Sequence, residues 1–316
     1  MTDGSRKAIV AAFLVNLAIA VSKFAAWLVT GAASMLAEGV HSLADTANQG
    51  LLLLGGVRAR READAEHPFG YGTERYFWAF VVALVLFLLG GAFAIFEGIN
   101  KLQHPHEISS PAWAVGVLSL AIVLECFSFR TAIIEASKLR SEMSWWEFIR
   151  RAKSPELPVV LLEDAGALLG LGTALISVCL TVYTGNPMWD ALGSIAIGAL
   201  LLMISIVLCV EMKSLLIGES ASMAHRQAIN DALTGAEHIE RVIHMRTLHV
   251  GPDQLLVGAK VELAAGLDVP GVAAAINAAE DAVRAAVPIV EFSYIEPDIH
   301  DPDRPQQGSE DGSEEP

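Results

Sequence analysis

Ala37-Glu38-Gly39-Val40-His41-Ser42-Leu43-Ala44-Asp45 places an imidazole and two carboxylates inside an apolar run, 32–57, that is long enough to cross a bilayer. An ionisable side chain at mid-membrane costs about 2.5 to 3.5 kcal/mol on insertion scales, so residues of this kind face a cavity, a partner or an ion. On a helix, His41 and Asp45 stand one turn apart on one face, with Glu38 a turn earlier. This spacing reads as half of a metal site.

The rest of the chain supports a membrane setting. Of 316 residues, 53% are hydrophobic and 18% charged, with a mean hydropathy of +0.47, whereas soluble domains carry about 25% charged residues. The net charge of -15 has the wrong sign for nucleic acid, which is excluded as a partner. The acid is concentrated toward the C-terminal third and the tail from Asp298 to Pro316. Cys126, Cys179 and Cys209 fall in apolar segments with no CxxC spacing, as lipid-facing or packing residues do.

Apolar runs at 8–31, 32–57, 76–102, 111–138, 156–183 and 188–215 each approach or exceed the roughly 20 residues of a spanning helix, so six crossings are expected. The first run follows Arg6 and Lys7 but is long, and a second follows at once, so it is read as a retained span and not a signal peptide. Basic residues gather at the N-terminus, between the second and third runs (Arg58, Arg60, Arg61, Arg75), and between the fourth and fifth (Lys138, Arg140, Arg150, Arg151, Lys153). The opposite loops hold only Lys101, which places both termini in the cytosol. A bacterial inner membrane is the expected location.

Composition changes after Lys213. Residues 222–236 and 269–287 have helical spacing, while 239–250, 254–264 and 289–297 read as strands; Val257, Ala259, Val261 and Leu263 alternate with Lys260 and Glu262. The expected organisation is a six-helix transmembrane domain at 1–217, a cytosolic α+β domain of αββαβ order at 218–300, and a disordered acidic tail at 301–316.

His41-xxx-Asp45, the segment Asp64-Ala65-Glu66-His67-Pro68-Phe69-Gly70-Tyr71-Gly72, an Asp in the fifth run and the αββαβ end together resemble the cation diffusion facilitator family of divalent-metal transporters. The likeness covers nearly the whole chain. Leu162-Glu163-Asp164 resembles its zinc-transporter-nine-like branch. The resemblance implies a six-helix α-helical membrane protein with a ferredoxin-like cytosolic domain, a homodimer, and a non-enzymatic exchange of metal for protons. It implies that His41, Asp45 and Asp164 hold the transported ion, with no separate cofactor.

A fourth ligand is missing, because zinc members place a His one turn before that Asp and Val160 stands here. Glu163 points about 100 degrees away from Asp164 on an ideal helix, so Glu163, Glu38, Asn48, a water or a local distortion remain open as completions. One imidazole with two or more carboxylates suits Zn²⁺, and a more oxygen-rich shell also admits Mn²⁺, Fe²⁺ or Co²⁺. Asp64 and His67 resemble part of a cytosolic-loop metal site, though Tyr71 occupies the position of its next His. Lys23, Glu125 and Arg130 are read as bundle-pairing or interfacial residues, Asp190 as a helix cap, and His244 and His249 as ordinary surface of a sheet. Lys260 and Tyr294 take positions where some relatives put histidines. A non-transporting metal sensor or partner subunit is the alternative reading. An intramembrane acid/base enzyme built on Glu163 and Asp164 lacks a nucleophile.

Overall fold

A peptide group out of reach of water must find its hydrogen bond within its own segment, so the long apolar runs form helices. The structure, a computed structural model, describes residues 3–30, 33–105, 111–140 and 143–300, leaving aside the side chains of 3–8, 23, 26, 27, 29, 30, 33–41, 44, 85–87 and 89. The expected tail at 301–316 lies outside the described residues. Two compact units divide the chain, Met1–Leu216 and Ile217–Pro316.

The first unit comprises α1 (Asp3–Thr30), α2 (Ala33–Arg58), α3 (Glu74–Val81), α4 (Leu88–Gln103), α5 (Pro111–Arg140), α6 (Trp145–Arg151), α7 (Glu156–Thr184) and α8 (Met188–Ile217). Among the described residues, α5, α7 and α8 are long and apolar enough to cross a membrane, and α1 carries a shorter apolar stretch, Ile9–Ser22.

The run expected at 76–102 is one helical path interrupted by a π-helical stretch, Val82–Phe87, between α3 and α4. Such a widened turn disturbs the backbone ladder, and Ser205 Oγ of α8 donates to the Ala83 carbonyl at 2.8 Å. Close approach of α4 and α8 depends on small residues. A Cβ on Gly198 would lie 2.7 Å from Gly91 O and 2.6 Å from Ile95 Cγ1, and membrane helices pack through such contacts where water supplies no hydrophobic drive.

Turn chemistry sets the helix ends. Ser144 Oγ accepts from Glu147 N at 3.2 Å at the start of α6, and Gly185 ends α7 with a left-handed φ of 66°, a conformation in which a Cβ is penalised. Asp190 is not the cap of α8. Asn186 Oδ1 accepts from Met188 N at 3.0 Å, while Asp190, in the first turn, pairs with Lys101 of α4 at 3.0 Å.

The second unit contains α9 (Met223–Thr234), β1 (Ile239–Gly251), β2 (Gln254–Leu263), α10 (Val269–Ala286) and β3 (Val290–Pro297). The sheet order is β1-β2-β3, antiparallel between β1 and β2 with Val242 opposite Val261, and parallel between β2 and β3 with Ala259 opposite Ile295. Alternation along β2 buries Val257, Ala259 and Val261 with Ile229 and Leu233 of α9 and Ala279 and Val283 of α10. Asp268 caps α10 by accepting from Gly271 N at 2.9 Å, just ahead of Pro270 in the first turn.

Candidate metal centre

Asp45, Asn48 and Gln49 are spaced i, i+3 and i+4 along α2, so they share one face. Ser42 and Thr46 are also buried on this helix, and Thr46 Oγ1 returns its proton to the Ser42 carbonyl at 2.8 Å. Asn48 is 1% and Gln49 0% exposed. From α7, Glu163 and Asp164 enter the interior at 5% and 1% exposure.

The two carboxylates turn to different neighbours, as their angular separation requires. Glu163 Oε2 accepts from Gln49 Nε2 of α2 at 2.5 Å, and Asn48 also bonds to Glu163. Asp164 Oδ2 accepts from Ser128 Oγ of α5 at 2.8 Å. Asp45, half-buried, lies within electrostatic reach of both. One oxygen of each acid, Glu163 Oε1 and Asp164 Oδ1, has no hydrogen-bond partner, and neither have Asn48 Oδ1 and Gln49 Oε1.

Of the residues singled out in the sequence, Asp45, Asp164 and Glu163 therefore come to one α2–α7 region. His41 and Glu38 lie on α2, but their side chains fall outside the described residues. Among the described residues no three His, Cys, Asp or Glu side chains gather tightly enough to hold a metal. Val160, fully buried, belongs to the apolar core. Gln49 and Ser128 escaped the sequence reading; the signal for Gln49 is its i+4 spacing from Asp45, whereas nothing local marks Ser128.

The segment after α2 is tied internally. Asp64 Oδ1 accepts from Glu66 N at 3.0 Å and His67 N at 2.7 Å, and Oδ2 accepts from the Tyr71 hydroxyl at 2.7 Å. The Tyr71 bond first, then that of His67, holds the Asp64 carboxyl below its ordinary pKa, and the same bond raises the Tyr71 phenol. Arg61 stacks over the Tyr71 ring at 4.6 Å, and the His67 ring lies 4.4 Å from it. Both Asp64 oxygens are thus engaged by donors of the loop itself, and His67 Nδ1 stands 3.6 Å from Oδ1.

Of the remaining ionisable residues, Glu125 is buried within α5, Arg130 is exposed, and the side chain of Lys23 is outside the described residues. In the second unit Lys260 Nζ bridges Glu296 Oε1 at 2.9 Å and Asp298 Oδ2 at 3.0 Å, and the bonds to Glu296 and then Asp298 raise its pKa. His244 lines an open cleft with Lys260 and Tyr294. His249 is not surface: it is 3% exposed, with Nδ1 3.3 Å from Gly251 O.

Residues 9–217 match the family model described as the cation efflux transmembrane domain. The human mitochondrial protein named proton-coupled zinc antiporter SLC30A9 is 32% identical over 261 residues, which cover 82% of this chain and 46% of that protein. Metal tolerance protein C4 of Arabidopsis thaliana is 30% identical over 260 residues, 82% of this chain and 57% of its own length. The cation-efflux pump FieF of Salmonella arizonae is 28% identical over 251 residues, 79% of this chain and 78% of the pump. The chain thus spans about half the length of the first two of these relatives.

Proposed function

This chain belongs to the cation efflux family, one of membrane transporters and not of enzymes, and on that premise we propose that it exports Zn²⁺ from the cytosol in exchange for protons, with Mn²⁺, Fe²⁺ or Co²⁺ as alternative cargo. The observation that carries the reading is that Asp45 on α2 lies within electrostatic reach of the buried Asp164 on α7. Placing acids there is costly unless they serve an ion. His41, a turn from Asp45, supplies the nitrogen ligand that favours Zn²⁺.

In this reading the protein is a homodimer in the bacterial inner membrane, each protomer with six spans within 1–217, a ferredoxin-like domain at 218–300, and both termini cytosolic. Proton-coupled zinc exchange is what the human relative is named for. Metal binding needs a neutral imidazole and ionised carboxylates, so protons compete with the ion, and release is favoured on the acidic side. That side is the outer face of a respiring bacterium, which gives export.

Proteoliposomes loaded with Zn²⁺ and given an imposed pH gradient of either sign test this. Flux that follows the gradient, with a pH change accompanying metal movement, is the expected result. Flux indifferent to both gradients replaces exchange by uniport, and metal binding without flux replaces the transporter by a sensor.

A further inference from the structure

We propose that Asn48, Gln49 and Glu163 form a second cation station, built of oxygen donors alone, beside the His41, Asp45 and Asp164 set, and that it takes an oxygen-preferring divalent ion of the Mn²⁺ type. The proposal rests on the reading above that a metal ion enters the α2–α7 region.

The geometry starts with how the amides are used. Gln49 spends its Nε2 on Glu163 Oε2 at 2.5 Å, and Asn48 makes a second side-chain bond to the same carboxylate. With their donors directed at Glu163, both amides keep their carbonyl oxygens for something else. Those oxygens, Asn48 Oδ1 and Gln49 Oε1, are buried and unpartnered, as are Glu163 Oε1 and Asp164 Oδ1.

Four unpartnered atoms in one region, every one an oxygen, match the need of a single kind of group. A buried polar atom without a partner is costly and rare, and four such acceptors side by side call for positive charge brought from outside the chain. Hydrogen-bond acceptors left over with no donor are what a bare cation satisfies. Carboxylate and amide carbonyl oxygens are hard ligands suited to Mn²⁺ and similar ions and are poorer for Zn²⁺ than imidazole. The station therefore differs in chemistry from the His41 set, although the two are neighbours: Asn48 and Gln49 follow Asp45 by one turn on the same face of α2. Asp164, with Oδ2 committed to Ser128, keeps its Oδ1 without a hydrogen-bond partner.

The full chain in lipid nanodiscs, titrated with Mn²⁺ and followed by electron paramagnetic resonance, tests the assignment. Two Mn²⁺ per wild-type chain are expected, one showing coupling to a ¹⁴N nucleus of imidazole and one without it. The double variant Asn48→Leu/Gln49→Leu should keep only the nitrogen-coupled ion, and His41→Ala/Asp45→Asn only the uncoupled one. Size-exclusion elution checks folding, and Gln49→Met, close in volume and lacking the carbonyl, replaces the double variant if the latter fails to assemble. A single Mn²⁺ in the wild type that His41→Ala/Asp45→Asn removes overturns the station and leaves the transport site standing. Two ions that persist in a folded Asn48/Gln49 variant also overturn it. An uncoupled ion alone, untouched by His41→Ala/Asp45→Asn, sinks the His41 site and supports the station.

Discussion

Arg75, in the first turn of α3, holds Glu156, in the first turn of α7, through a two-pronged ion pair: Nε donates to Oε1 and Nη2 to Oε2, the latter at 2.9 Å. The two side chains are 4% and 1% exposed. A paired guanidinium and carboxylate satisfy each other's geometry, but neither tolerates the interior alone. Removing one partner of a buried pair costs about 3 to 5 kcal/mol, while replacing both by apolar groups is often near neutral. Arg75→Met and Glu156→Leu should each lower the melting temperature in detergent sharply, and the double variant should recover much of the loss. Melting temperatures that add across the cycle would show that the two residues do not act together.

For the proposed transport site, Asp45→Asn and Asp164→Asn are each expected to abolish metal flux while leaving the assembled protein intact. Each removes an anionic ligand but keeps the volume of the side chain. Vesicle uptake of Zn²⁺ and Mn²⁺ is the measurement, and wild-type rates in either variant would remove that residue from the site.

Val160 stands one helical turn before Asp164 in the apolar core. Val160→His should shift preference toward Zn²⁺ over Mn²⁺ by adding a nitrogen ligand, at an overpacking cost of about 1 to 3 kcal/mol. Competition between the two ions reads the shift. A folded, active variant with the parental profile would show that position 160 turns away from the ion.

In the loop after α2, the Tyr71 hydroxyl is the largest of the interactions that lower the Asp64 pKa. A depressed acid contributes stability above its unfolded pKa and loses it as pH falls through the folded value. Tyr71→Phe should therefore raise the Asp64 pKa and move the acid-side loosening of this loop to higher pH. Carboxyl carbon NMR of Asp-labelled protein follows it; an unmoved titration would mean that the bond does not form in solution.

The crossing of α4 and α8 gives a steric prediction. Gly198→Val would drive a side chain into Gly91 O and Ile95, so the yield of folded protein should fall severely, whereas Gly116→Ala on α5, with no atom within 4 Å of its added Cβ, should be silent. Size-exclusion profiles of the two variants decide it.

Features that depend on neighbours along the chain were legible in the residues themselves. The spacing of His41 and Asp45 puts them on one helical face, continuous apolarity marks α5, α7 and α8, and the alternation of Val257, Ala259 and Val261 separates a buried from a polar strand face. Helix and strand periods are local properties, so a short window of sequence determines them. Which distant groups meet was decided by the tertiary structure alone. Gln49 and Glu163 are 114 residues apart, Arg75 and Glu156 are 81 apart, and Ser128 reaches Asp164 over 36. Arg75 reads locally as one more basic loop residue, and His249 as one more polar residue of a strand, because burial is imposed by whichever element packs on top. Helix packing chooses among many rotations and registers of nearly equal local energy, and small residues such as Gly91 and Gly198 select one only once both helices are in place.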